Sequence, residues 1–261
     1  MNIMKLFGNG LSKFKTAVVL PDMHVPFQDN KAIKLALKVV SYLKLDRIIQ
    51  LGDFQDFYSI SRFDKDPNRI DSMQEELDTG FEIWKKIKKA GKKAKLEYTE
   101  GNHEFRLRRY LWRHPELHSL KALKLENVLR VKELGIKFYR TDDICYINRN
   151  LIVTHGAKDD GCKLAQYSGY SAKNTLERIG IPGISGHSHR LAAHYKTDFN
   201  DTKEWYEAGC LCQLNPEYVK KPNWQQGFVV VRYTDRLFDV KLVHIKKGYW
   251  CVVDGRKFNL K

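Results

Sequence analysis

The chain has 261 residues, 43% of them hydrophobic and 30% charged, with a formal net charge of +15. That length supports a sizeable buried core and the composition is globular, which excludes a disordered chain. No apolar run reaches the length of a membrane span, and the five scattered cysteines (Cys145, Cys162, Cys210, Cys212, Cys251) argue against a disulfide framework and for small core residues.

The positive charge favours a polyanionic partner such as nucleic acid, or an anionic small substrate. Met1 to Lys15 has lysines but no sustained apolar region, so neither a secretory signal nor a transit peptide is expected, and a cytoplasmic location is. Residues 16–21 read as a buried first strand ending in Asp22-Met23-His24-Val25-Pro26. Asp22 and His24 are two apart, so in an extended segment they share one side, where a carboxylate and an imidazole suit a first-row divalent metal. Asp29 has the character of a helix N-cap, and residues 30–44 repeat Ile33, Leu37, Val40 and Leu43 at helical spacing. Residues 47–51 form a second strand ending in Gly52-Asp53. Strand, helix and strand make a parallel unit, which brings Asp53 near Asp22 and His24 at one carboxyl edge.

Residues 54–70 fit neither period and mix aromatics with Arg62, Lys65 and Arg69. A long loop directly after Asp53 is placed to wall a substrate cleft, or to pack on its own aromatics. Residues 71–90 predict a long helix, with lysines 85, 86, 88, 89, 92, 93 and 95 crowding its end, either as a solvated face or as a nucleic-acid contact. A third apolar run, Ala94 to Tyr98, leads into Gly101-Asn102-His103-Glu104, and a helical segment over residues 105–112 carries Arg106, Arg108 and Arg109. Arginines in the first turns after such a loop can reach a substrate phosphate bidentately, or equally be paired on the surface with Glu104 and Glu116; Arg62, Arg106 and Arg109 are the candidates for the phosphate. Residues 114–140 read as short helices and a connection.

Residues 144–147 and 151–154 read as two strands around a turn, the second ending in His155-Gly156. Residues 163–179 read as a helix, and Ile181 to Ser185 as a short strand ending in Gly186-His187-Ser188-His189. From residue 203 onward the pattern is all strand: 204–208, 227–233, 237–245 and 249–253, with a loop over 211–226. With no repeat and no linker, the chain reads as one domain over residues 1–261, of α/β class, with two sheets packed face to face.

Collected, the strand-end residues are Asp22, His24, Asp53, Asn102, His103, His155, His187 and His189. Oxygen and nitrogen donors without a thiolate suit manganese, iron, zinc or nickel, and the number of donors suits two ions sharing one carboxylate. Two ions about 3.5–4 Å apart can hold a hydroxide between them and clamp a phosphoryl group for in-line attack.

In these blocks the chain resembles the calcineurin-like metallophosphoesterase superfamily. Its pattern of D-x-H, G-D, G-N-H-[DE], H and G-H-x-H is matched in order by Asp22-Met23-His24, Gly52-Asp53, Gly101 to Glu104, His155 and Gly186 to His189. The resemblance implies a four-layer α/β sandwich of two mixed sheets flanked by helices. It implies that Asp22, His24 and His189 hold one metal, that Asn102, His155 and His187 hold a second, and that Asp53 bridges them. His103 would stabilise the transition state or protonate the leaving group, with Glu104 orienting it from behind. The implied cofactor is two divalent ions, manganese first among them. The implied activity is hydrolysis of a phosphoester substrate, with DNA, RNA or a nucleotide as the expected class, by a phosphodiesterase, nuclease or phosphomonoesterase. The run Gly52-Asp53-Phe54-Gln55-Asp56-Phe57-Tyr58 lacks the Arg-Gly of the family's protein-phosphatase branch, which weakens that alternative. A nucleic-acid-binding module with a vestigial metal site is the third reading. Pro21 stands where the family has Gly, and the aromatic insert after Asp53 is similar to phage- or prophage-encoded members.

Overall fold

The computed structural model describes residues 13–65, 72–156, 164–215 and 222–260; most of Met1 to Lys15, Arg69, Cys162, Lys163 and Pro216 lie outside the described residues. Strand β1 (Lys15–Leu20) buries every residue after Lys15, because both of its faces are covered. Helix α1 (Asn30–Tyr42) starts at Asp29, whose carboxylate accepts from the Lys31 and Ala32 N–H groups. Strand β2 (Arg47–Gln50) then pairs parallel to β1, with Val18 opposite Ile48. Helix α2 (Met73–Gly91) is capped by Ser72 and leads to β3 (Lys95–Thr99), parallel to β2.

After helix α3 (Phe105–Arg113), three single-turn helices follow: α4 (Pro115–His118), α5 (Leu125–Val128) and α6 (Val131–Leu134). They lead into β4 (Ile136–Tyr139), which pairs parallel to β3. This strand replaces the plain connection expected up to residue 140. Strands β5 (Cys145–Asn148) and β6 (Leu151–Thr154) form the expected hairpin. Helix α7 (Tyr170–Ile179) is shorter than its sequence pattern, because residues 164–169 bend and turn instead. Strand β7 (Gly183–Ser185) is parallel to β6. Strands β8 (Leu191–Thr197), β9 (Thr202–Ala208), β10 (Gly227–Tyr233), β11 (Phe238–His244), β12 (Trp250–Val253) and β13 (Arg256–Asn259) complete the chain.

These strands make a six-stranded sheet in the order β11-β10-β1-β2-β3-β4, a five-stranded sheet in the order β5-β6-β7-β9-β8, and the hairpin β12-β13. Alternation sorts the side chains by layer. Val18, Leu20 and Ile48 face α1 and α2, whose Val39, Trp84 and Ile87 cover them. Ala17, Val19, Ile49 and Leu51 point the other way and meet Val153, Ile184 and Tyr206 of the second sheet. The far face of that sheet, with Ile152 and Trp205, is closed by Ala172 and Leu176 of α7. The result is helix, sheet, sheet, helix. The carboxyl ends of β1, β2 and β3 in one sheet and of β6 and β7 in the other run into every block singled out above.

Candidate metal centre

The backbone at the strand ends is unusual. Asp22, His24, Asp53, His187 and His189 all have positive φ, between 37° and 63°. Non-glycine residues seldom adopt this region, and they cluster there at functional sites. The turn that it produces aims each side chain back over the sheet edge. Gly52 (φ +79°) and Gly186 keep space open beside them: a Cβ on Gly52 would lie 2.6 Å from His155 Nδ1, and one on Gly186 would lie 2.4 Å from Asp22 Oδ2.

Two clusters result. In the first, Asp22, His24 and His189 place one donor atom each within 4.8 Å of one another. His24 Nε2 and His189 Nε2 are 3.0 Å apart, and Asp22 Oδ1 is 3.4 Å from His189 Nε2. Two ring nitrogens this close, with a carboxylate beside them, converge on one point. In the second, Asp53, His155 and His187 are gathered in the same way. Asp53 Oδ2 lies 3.1 Å from His155 Nε2 and 3.7 Å from both His24 Nε2 and His103 Nε2. One carboxylate oxygen therefore faces both clusters. Asn102 Oδ1 joins the second cluster, 3.0 Å from His155 Nε2. His155 Nδ1 donates to the Leu51 carbonyl at 2.7 Å, which turns Nε2 towards Asp53.

The donor set fits a divalent metal. Asp22 Oδ2 is buried and has no hydrogen-bond partner, although a buried carboxylate oxygen ordinarily finds one. Asp53 is also buried, with its acidity raised by the imidazoles: burial opposes the anion, and His103 and His155 overcome it, holding the carboxyl well below its usual range. Burial would lower His155 and His189, but Asp53 lifts the first, and Cys212 and Asp22 lift the second, each to about 10. His187 falls to about 4, through burial and the neighbouring His155. The two carboxylates call for positive charge, which either imidazolium or a divalent cation can supply; ligation requires the neutral ring, so a cation bound here would displace protons.

No family model matches the chain. The chain is similar to the Gene 54 protein of Mycobacterium phage L5, with 28% identity over 269 residues, covering 93% of this chain and 98% of that protein. The Gene 54 protein of Mycobacterium phage D29 is also 28% identical, over 264 residues, covering 92% and 97%. Among solved structures, Vps29 of Chaetomium thermophilum matches with a TM-score of 0.50 at 9% identity, over 94% of this chain and 98% of that one. The fold is metallophosphoesterase-like. At this level of identity the likeness speaks to architecture alone.

In this metallophosphoesterase-like frame, His103 stands beside the clusters. Its ring lies 4.5 Å from that of His24, centroid to centroid. Its Nδ1 is 2.9 Å from the Asp56 carbonyl oxygen, and Arg106 Nη2 is 3.0 Å from its Nε2. The guanidinium can only donate, so the neutral ring carries its proton on Nδ1 and accepts at Nε2. Burial lowers the basicity of His103, but Asp53 and Asp56 outweigh it and the net shift is upward.

The expectation that Glu104 orients His103 from behind is corrected by its contacts. Glu104 is fully buried, and its two oxygens accept four backbone N–H groups: Gly101 and Asp53 on one oxygen, Phe54 and Gln55 on the other, at 2.8–2.9 Å. It clasps two strand-end loops together rather than the imidazole. The residue that orients His103 is Asp56, which sequence reasoning does not single out. Its carboxylate sits 3.1 Å from His24 Nδ1 and 3.4 Å from His103 Nδ1, and these imidazoles hold it far down the acid range against its burial. In sequence Asp56 is one polar residue in the irregular run after Gly52-Asp53, with no spacing that sets it apart from an ordinary loop carboxylate.

Two further residues bear on the site. The Cys212 sulfur lies 4.0 Å from His189 Nδ1, so this buried cysteine abuts a candidate ligand as well as the core; Cys145, Cys210 and Cys251 are buried as expected. Glu76 of α2 accepts the Phe57 N–H at 2.8 Å and so anchors the loop that carries Asp56. Burial pushes the Glu76 carboxyl up to about 8, opposed by the Phe57 hydrogen bond and reinforced by Asp56. The folded chain therefore keeps a proton that the unfolded chain gives up. The stabilisation is complete below the ordinary carboxyl value and is lost as pH rises towards about 8. Glu76→Gln retains the carbonyl for Phe57 and removes the titration. Between about pH 5 and about pH 8 the melting temperature of the wild type should fall more steeply than that of Glu76→Gln; parallel curves would show that Glu76 is charged in the native state.

Arg62, Arg106 and Arg109 all line one cavity of about 520 Å³, which reaches Asn102 and His187 of the second cluster. Ile60, Arg62 and Phe63 line it too, so part of the segment after Asp53 does bound a cleft. The lysine run does not. Lys92, Lys93 and Lys95 lie between the end of α2 and the start of β3, at the amino edge of the sheet, opposite the site. Among the described residues no helix is long and apolar enough to cross a membrane.

Proposed function

We propose that this chain is a dinuclear metal-dependent phosphoesterase, acting as one catalytic domain on nucleic-acid or nucleotide substrates. The observation that carries the reading is the pair of buried carboxylates, Asp22 and Asp53, each ringed by imidazoles and with Asp53 facing both clusters. Asp22, His24 and His189 would hold one ion; Asn102, His155 and His187 the other; Asp53 both. Manganese is the first candidate, because the donors are imidazole, carboxylate and amide oxygen without thiolate. Bound ions supply Lewis-acid charge to the phosphoryl oxygens and a nucleophile at neutral pH.

The remaining steps belong to this chain. Arg106, which contacts Asp56 and His103 and lines the cavity, would turn one N–H pair onto a phosphoryl oxygen. That movement uncovers His103 Nε2, which takes a proton from solvent and passes it to the leaving oxygen, returning the ring to its neutral form. Asp56 holds the imidazole through Nδ1 and stabilises the cation as it forms.

The test is hydrolysis of bis-p-nitrophenyl phosphate and p-nitrophenyl phosphate with manganese, in parallel with His103→Ala. The expected result is metal-dependent turnover of the diester, reduced about 10²–10⁴-fold in the variant. Preference for the monoester would move the substrate to a terminal phosphate. A metal-loaded, folded protein inert on both would overturn the reading.

A further inference from the structure

The cavity holds more positive charge than one reacting phosphate needs. Arg106 is matched by Asp56. Arg62, Arg109 and Arg113 also line it, and among the described residues none of the three has a carboxylate within ion-pair distance. Arg106, Arg109 and Arg113 lie three and four residues apart on α3, so they share one face of the helix. At ~1.5 Å rise per residue they form a row roughly 10 Å long leading away from the second cluster. One phosphate can engage the near end of such a row. Filling it takes several phosphates in succession.

The aromatic side chains point to the same ligand. Trp112 and Phe63 line the cavity and are 57% and 60% exposed. Neither is loose. The Phe105 ring packs edge-on against Trp112 with centroids 5.3 Å apart, and the Arg62 guanidinium lies 5.6 Å from the Phe63 centroid. Exposed rings interleaved with arginines that have no carboxylate partner are what a single strand requires: guanidinium for the backbone and a flat face for each base. A phosphopeptide would use the arginines and leave the rings without partners.

We propose that this cavity is a track for single-stranded nucleic acid, in which Arg109, Arg113 and Arg62 hold phosphates next to the reacting one and Trp112 and Phe63 stack its bases. This deepens the phosphoesterase reading and rests on it only for what happens to the phosphate at the metal-facing end.

Binding tests it directly. A fluorescein-labelled phosphorothioate oligothymidylate of about twelve nucleotides, which resists hydrolysis, is titrated with the metal-loaded protein over a range of salt concentrations, read by anisotropy. Arg109→Gln/Arg113→Gln should weaken binding about 10–100-fold and lower the log–log salt slope by about 1.4, at ~0.7 for each phosphate no longer neutralised. Trp112→Ala should weaken it about 5-fold or more and leave the slope unchanged. Lys92→Gln/Lys93→Gln removes the same charge at the opposite sheet edge and should leave affinity within about twofold, which separates a track from net charge. Equal losses in the arginine and lysine pairs would overturn the proposal. So would duplex bound as tightly as single strand, or competition by a doubly phosphorylated peptide as strong as by the oligonucleotide. If the binding results hold while bis-p-nitrophenyl phosphate is not hydrolysed, the track stands and the phosphoesterase reading falls.

Discussion

Asp53→Asn should abolish metal-dependent hydrolysis, lowering kcat/KM by at least about 10³-fold, or roughly 4 kcal/mol of transition-state stabilisation. The carboxylate has two jobs, and the substitution separates them. Its Oδ1 accepts the backbone N–H of His103 at 2.9 Å, and the amide oxygen of Asn can keep that bond. Its Oδ2 faces His155, His24 and His103, and there the variant presents an NH₂ group, which cannot ligate a cation and clashes with any imidazole N–H. Fold should survive and metal occupancy should not. Elemental analysis of the purified variant should find the bound metal depleted, while its melting temperature in chelator stays within a few degrees of the wild type. Retained activity would remove Asp53 from the centre of the chemistry, and the two-cluster reading with it.

The second large effect falls on stability. Glu104→Gln is close to isosteric, yet only one of the two positions now held by carboxylate oxygens can still accept. Two of the four backbone N–H groups then face an NH₂ group in a fully buried site. At ~1–3 kcal/mol for each orphaned donor, the loss is on the order of 4 kcal/mol, a fall of about 8–16 °C in melting temperature for a chain of this size. Burial and Asp53 push the Glu104 carboxyl upward. Four converging donors nevertheless require acceptors at both oxygens, so the anion is the form that fits. Activity should fall too, because the loops clasped are those that carry Asp53 and Asn102. A melting temperature within about 2 °C of the wild type would show that the clasp contributes little.

Much of this arrangement was legible in the chain. Buried parallel strands announce themselves as short apolar runs, and β1, β2 and β3 did so, along with the polar blocks at their ends. The strands that escaped are β4, β8 and β13. The first two are sheet edges and the third belongs to a hairpin outside both sheets. Leu191–Thr197 is largely exposed and Arg256–Asn259 fully buries only Phe258, so neither carries a periodicity to read. At the site, residue types and order were readable, but angles and partners were not. Nothing in Gly52-Asp53-Phe54-Gln55-Asp56 states that Asp56 will lie between two imidazoles from other loops, or that Glu104 will spend its charge on backbone. Those facts arise only when distant strand ends meet.

Each cluster takes side chains from both sheets: Asp22 and His24 with His189, Asp53 and Asn102 with His155 and His187. A cation at either place would act as a rivet through the sandwich, bolting together two layers that otherwise adhere mainly through apolar packing. A chelator would then do to this protein what a reductant does to a cross-linked one. Its layers would remain assembled but could slide, and the strand ends, no longer pinned, would be the first part of the fold to open.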